Sequence, residues 1–163
     1  MKLGVDVLFE KHLDLLRGKR VGLITNPTGV DGRFVSIIER FRAGAEFDLV
    51  ALYGPEHGVR GNAQAGEYVA FYQDEQFQLP VFSLYGQTQQ PPADMLTNID
   101  AYMREYDTQH TGKTVEREML RAVDVMVFDL QDVGTRVYTY VATMAYAMQA
   151  AAESDIPFIV LDR

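Results

Sequence analysis

A chain of 163 residues with 47% hydrophobic and 23% charged content is long enough for one domain with its own core, and ordinary for a globular protein. A net charge of −8 argues against a nucleic-acid binder, which needs a basic face to offset phosphate, and equally against docking on anionic lipid. With no cysteine, disulfides and thiolate metal sites are excluded.

No apolar run is long enough to span a bilayer, and Met1-Lys2-Leu3-Gly4 opens without the apolar stretch and cleavage site of a signal peptide. In chain order, Val5 to Leu16 has helical spacing, with Val5, Leu8, Phe9, His12, Leu13 and Leu16 on one face, and Gly18 stops it. Arg20 to Thr25 reads as a buried strand. Asp31 to Arg42 reads as an amphipathic helix with Phe34, Ile37, Ile38 and Phe41 inward. Phe47 to Tyr53 is a second strand and Pro80 to Tyr85 a third. A helix at Thr114 to Ala122 precedes a fourth strand, Asp124 to Leu130. A long helix, Arg136 to Ser154, carries Val137, Tyr140, Val141, Met144 and Met148 on its apolar side, and Pro157 to Leu161 is a fifth strand. Near-continuous apolar strands mean burial on both faces. Alternation with helices then gives an α/β fold: a doubly wound, mainly parallel, Rossmann-like sheet with helices on both faces.

Ligands of such sheets bind beyond the carboxyl ends of the strands. The strands exit into Asn26-Pro27-Thr28-Gly29, Gly54-Pro55-Glu56-His57, Tyr85-Gly86-Gln87, Asp129-Leu130-Gln131-Asp132 and Asp162-Arg163. Every exit is polar, and in a parallel sheet all five share one edge. Carboxylates Glu56, Asp129, Asp132 and Asp162 then crowd one cleft, where like charges and partial burial raise the pKa of at least one. That is how a glutamic acid becomes a general acid near neutral pH. Arg60, Arg136 and Arg163 offset the negative charge and can clamp a carboxylate, while Tyr138 and Tyr140 offer flat faces to a sugar ring.

Other chemistries fail on their spacing. Gly112-Lys113-Thr114 ends like a phosphate-binding loop, but the earlier glycine position holds Asp107. No G-x-G-x-x-G follows the first strand and no G-x-S-x-G is present. The three histidines, His12, His57 and His110, lack metal spacing, and His12 on the inward helix face reads as structural. No cofactor and no metal is expected.

Four blocks carry a resemblance: Gly22 to Asp31, Gly54-Pro55-Glu56-His57-Gly58-Val59-Arg60-Gly61, Pro80 to Gly86, and Val127 to Tyr140, with Leu161-Asp162-Arg163 as a coda. They resemble the YbbC/NamZ-type exo-β-N-acetylmuramidases over nearly the whole chain. The resemblance implies a glycoside hydrolase releasing β-linked N-acetylmuramic acid from the non-reducing end of peptidoglycan fragments. It implies an exported protein, periplasmic or extracellular. Glu56 matches the family's Pro-Glu-His-Gly glutamate and is the candidate acid; Asp129, Asp132 and Glu153 compete as its partner. The ligand contacts are drawn from Asn26, His57, Arg60, Gln131, Arg136, Tyr138, Asp162 and Arg163, with Arg60 or Arg136 suited to the lactyl carboxylate.

The family continues beyond Asp-Arg into a second domain, so residues 1–163 read as a single catalytic-type domain, the N-terminal part of a larger two-domain protein. Thr97 to Glu118 reads as an insertion. A lone domain of this kind is expected to expose an apolar face, and either to form a homodimer or to cover that face with the segment around Pro91 to Gly112. Two other readings stay open: a non-catalytic sugar-binding or assembly module, and a doubly wound domain holding a phosphorylated metabolite at a helix N-terminus.

Overall fold

The computed structural model describes residues 2–67, 69–84, 123–135 and 138–162. The expected helix at 114–122, the 97–118 insertion, the 85–87 exit, His110, Arg136 and Arg163 lie outside them. The strands are β1 (Arg20–Thr25), β2 (Asp48–Gly54), β3 (Tyr72–Asp74), β4 (Leu79–Ser83), β5 (Val125–Asp129) and β6 (Phe158–Val160). They form one six-stranded sheet in the order β3-β4-β2-β1-β5-β6, parallel except for β3. Going from β1, the chain first winds outward through β2 to β4, then returns to the other side of β1 for β5 and β6. The switch point, where an open α/β sheet forms its crevice, therefore lies between β1 and β5.

Both faces are covered, as the continuous apolar strands require. Helices α1 (Gly4–Lys11) and α2 (Ile37–Arg42) bury Val5, Leu8, Ile37, Ile38 and Phe41 against Val21, Leu23, Val125 and Val127. Helix α3 (Tyr140–Glu153) covers the other face, over Ile24, Met126 and Phe128. The strand β2 changes phase between these layers. Its pairing with β1 slips between Val21 and Gly22, so that Leu49 and then Ala51 are the partners. Val50 and Ala51 consequently share the α3 side, a bulge that turns the rest of the strand over. Opposite, Gly22 leaves room for Tyr53 and Met126: a Cβ there meets Met126 Sδ at 2.6 Å.

Three helical expectations need correction. The first helix ends at Lys11, His12 leaves the helical region, and a 3-10 turn (Leu13–Leu15) follows. That break brings Leu16 into the core and leaves His12 exposed rather than inward. The second helix starts only at Ile37. The Asp31 carboxylate takes the N–H groups of Arg33 (2.8 Å) and Val35 (3.0 Å), organising residues 31–35 as a turn in competition with the helix. Phe34, expected inward, is 87% exposed at φ 62°. The third helix starts four residues later than Arg136. It buries Thr143, Ala147, Ala150 and Ala151, whose small side chains suit close packing on the large residues of β5 and β6. Val141 and Met148, expected inward, are 56% and 44% exposed.

Strand β3 was not expected. It pairs antiparallel with β4 through a tight hairpin in which Asp74 takes the N–H groups of Gln76 and Phe77.

Candidate active site

Three strand exits meet at the switch point. After β1, Asn26 to Gly29 forms a turn closed by Gly29 N–H to the Asn26 carbonyl at 2.9 Å. Gly29 is required there, because a Cβ would lie 2.1 Å from Thr25 Oγ1. The Asn26 side chain is buried and fully used. Its Oδ1 accepts from Thr28 N–H (2.9 Å) and Thr28 Oγ1 (2.6 Å), and its Nδ2 donates to Tyr140 OH at 2.8 Å. Thr28 Oγ1 in turn accepts from the backbone N–H of Gln131, on the β5 exit, at 3.2 Å. A continuous polar chain thus runs from Gln131 through Thr28 and Asn26 to Tyr140. Burial, first, and the neighbouring Tyr138 hydroxyl push the Tyr140 phenol up to about 12. Negative charge on Glu56 adds the smallest part of that rise.

Glu56 is presented by the loop after β2. Gly54 lets that loop fold back on the strand, since a Cβ there meets Val59 N at 2.8 Å. His57 and Gly58 both have positive φ, 72° and 74°. A non-glycine residue in this conformation is strained, and such strain concentrates at functional sites. The His57 ring is fixed by Nδ1 against the Ala63 carbonyl at 3.0 Å; since a carbonyl only accepts, Nδ1 carries a proton and Nε2 is free to accept when the ring is neutral. The Glu56 carboxylate is half-buried and held at both oxygens: Oε1 by Gly66 N–H (3.2 Å), Oε2 by the Thr139 hydroxyl (3.0 Å). The loop rests on the β1 exit, with Gly61 against Pro27.

Beside this cluster, between the ends of β5 and β6 and the first turns of α3, lies a cavity of about 320 Å³. Gln131, Asp132, Tyr140, Met144, Val160 and Asp162 are among its walls. That volume is at the low end of the roughly 300–1,000 Å³ common for small-molecule sites.

The expected site residues do not all converge. Asn26, Glu56, Gln131 and Tyr138 belong to the cluster, and Asp132 and Asp162 line the cavity. Asp132 Oδ1 accepts from Gly134 N–H at 2.7 Å, while Oδ2 is buried with no hydrogen-bond partner among the described residues. Asp129 is fully enclosed, its carbonyl accepting from Thr25 Oγ1 at 3.2 Å, so it presents no surface to a ligand. Arg60 is engaged elsewhere: its guanidinium bonds Asp74 at 2.6 and 3.1 Å and lies over Phe77. Glu153 closes α3, about 20 Å along the axis from Tyr140 at 1.5 Å per residue, too far to act with Glu56. The sequence reading missed Thr28 and Thr139; neither is ionisable, and only their threonine–polar neighbourhoods in the two exits marked them.

The whole-chain comparisons agree with this fold. A family model described as exo-beta-N-acetylmuramidase NamZ, N-terminal, matches residues 21–115 and 102–163. The chain belongs to the NamZ N-terminal family. It is 46% identical over all 163 residues to the peptidoglycan beta-N-acetylmuramidase NamZ of Bacillus subtilis, covering 34% of that protein. Two crystal structures of DUF1343-family proteins from Bacteroides fragilis share the fold, with TM-scores of 0.76 at 44% identity and 0.63 at 26% identity. Each is matched over 99% of the present chain and 34% of its own. This member of the NamZ N-terminal family therefore spans about a third of the length of the relatives it matches.

Proposed function

We propose that this chain is the catalytic-type, N-terminal part of a two-domain exo-β-N-acetylmuramidase that releases terminal N-acetylmuramic acid from peptidoglycan fragments. The observation that carries the reading is Glu56, half-buried and held at both oxygens at the carboxyl edge of the sheet, its partner Thr139 directly preceding Tyr140 in the wall of a cavity of about 320 Å³. The whole-chain identity to a peptidoglycan beta-N-acetylmuramidase supports the substrate class. Glu56 protonates the glycosidic oxygen, which departs with the electron pair of the anomeric C–O bond. Water replaces it, and its proton passes to the second carboxylate. Asp132 takes that second role, because it lines the cavity with an oxygen that no donor among the described residues satisfies. Gln131 and Tyr138 contact the ring, and the lactyl carboxylate is assigned to Arg136, the guanidinium that follows the β5 exit in sequence.

The phosphorylated-metabolite reading is disfavoured at α3, whose N-cap residue is already bonded to the Glu56 carboxylate. A phosphate there meets a like charge. The test is hydrolysis of a muramyl disaccharide and of a nitrophenyl N-acetylmuramide by the protein that carries this chain. Glu56→Gln should abolish the first and weaken the second less, because a phenol leaves without protonation. Full disaccharide turnover by Glu56→Gln would remove Glu56 from the acid role.

A further inference from the structure

Thr139 stands at the N-cap of α3, yet its hydroxyl makes no bond to the helix it opens. An N-cap hydroxyl ordinarily accepts from an amide two or three residues on, and giving that up weakens the start of the helix. Here Oγ1 reaches instead to Glu56 Oε2, 3.0 Å away and 83 positions earlier in the chain. The rest of the residue is fixed to the helix. Its carbonyl accepts from Thr143 N–H (2.9 Å) and Thr143 Oγ1 (3.2 Å). A rigid element thus holds a hydroxyl against the carboxylate of a loop that carries strained backbone at His57.

We infer that Thr139 is a positioning residue for Glu56, setting the carboxyl group for proton delivery and stabilising the charge it acquires. The inference rests on the general-acid reading of Glu56. As Glu56 gives up its proton, negative charge grows on its two oxygens. Both of their partners, Gly66 N–H and Thr139 O–H, donate, so both bonds strengthen toward the transition state. The Gly66 amide lies in a surface turn at φ 75°. Thr139 lies on the helix that walls the cavity. Of the two, Thr139 ties the acid to the sugar pocket. Because it touches Glu56 and not the reacting bond, its loss should appear in kcat rather than KM.

The experiment compares Thr139→Val and Thr139→Ser in the protein that carries this chain. Valine keeps the shape and removes the hydroxyl; serine keeps the hydroxyl. On a muramyl disaccharide, Thr139→Val should lower kcat roughly 10- to 100-fold, the scale of a misplaced catalytic group, with KM near the wild-type value. The loss should be smaller on the nitrophenyl glycoside, and Thr139→Ser should restore turnover. Added to Glu56→Gln, the valine change should cost nothing more. Wild-type kcat in Thr139→Val overturns the inference, as does a serine variant as impaired as the valine one. A crystal structure of Thr139→Val supplies a second readout that needs no activity. A displaced Glu56 carboxylate supports positioning, and an unmoved one overturns it. If Glu56→Gln itself turns over the disaccharide, the general-acid reading fails, and the structure of the valine variant still decides whether Thr139 holds Glu56.

Discussion

Asn26 Nδ2 donates to Tyr140 OH at 2.8 Å, a buried bond that ties the exit of the first strand to the first residue of the last helix. It spans 114 positions of sequence and crosses the switch point of the sheet. Tyr140→Phe keeps the ring but leaves the Asn26 amide facing a hydrocarbon edge. An unsatisfied buried donor costs about 1–3 kcal/mol, so chemical denaturation should show a loss of that size with the slope unchanged.

Burial of the same phenol, which outweighs the opposing pull of the Asn26 bond, has a spectroscopic consequence. The Tyr140 phenol, raised to about 12, ionises later than an ordinary tyrosine at 10.0. A group with a raised folded value contributes stability that is complete below its unfolded value. That contribution is lost as pH climbs from 10.0 toward 12. Ultraviolet titration of wild type against Tyr140→Phe should therefore remove the late-ionising component, not an early one.

At the opposite edge of the sheet, Arg20 grips Asp124 in a bidentate pair, 2.6 and 2.9 Å, with the Arg20 backbone N–H on the same carboxylate at 2.8 Å. The Arg20 hydrogen bond, chiefly, holds the Asp124 carboxyl below its ordinary 3.8. A depressed folded value contributes stability that is present above the unfolded value. It is lost as pH falls below about 3.8 through the lower, folded one. Stability measured from pH 6 to pH 2 should fall less steeply in Asp124→Asn than in wild type. The pair is more than a third exposed, so its worth at neutral pH is only about 1 kcal/mol.

Arg60→Ala separates structure from ligand binding. The partner Asp74 is buried, and the arginine is partly exposed. Removing the guanidinium should destabilise the β3–β4 hairpin by about 1–3 kcal/mol, since the two backbone N–H bonds to Asp74 remain. Affinity for N-acetylmuramic acid, measured by calorimetry at a temperature where the variant is folded, should be unchanged. A marked loss of affinity would return Arg60 to the ligand clamp.

The exposed apolar residues Val141, Met148 and Val160 predict self-association of the 163-residue chain when it is produced alone. Light scattering should give a mass above 18.4 kDa that falls to the monomer in a Val141→Lys, Met148→Lys double variant. A monomeric wild-type chain would contradict the expected homodimer.

Much of this arrangement was legible because it depends on local pattern. The buried parallel strands announce themselves as short apolar runs, and five of the six lie within a residue or two of their expected places. What escaped depends on partners distant in sequence. β3 is three residues of mixed polarity, visible only against β4, and with it went the partner that occupies Arg60. On α3, Tyr140 and Met144 face the core as expected, but hydrophobicity also points to Val141 and Met148, whereas packing selects Ala147, Ala150 and Ala151. In the site, Asp129 was expected at the cleft, and its side chain is enclosed. At a strand end, one residue decides between an enclosed side chain and one that meets solvent.

The central position of β1 also has a consequence for biosynthesis. One edge of β1 pairs with β2, Arg20 opposite Asp48, soon after both are made. The other edge waits for β5, Val21 opposite Val125. At ribosomal rates, that gap of about 100 residues keeps an apolar strand edge unpaired for roughly 5–20 s. An open edge of this kind templates wrong pairings between nascent chains. Expression yield should therefore depend on elongation speed and on chaperones that shield β1, and the Glu56–Thr139 bond cannot form until the last helix has emerged.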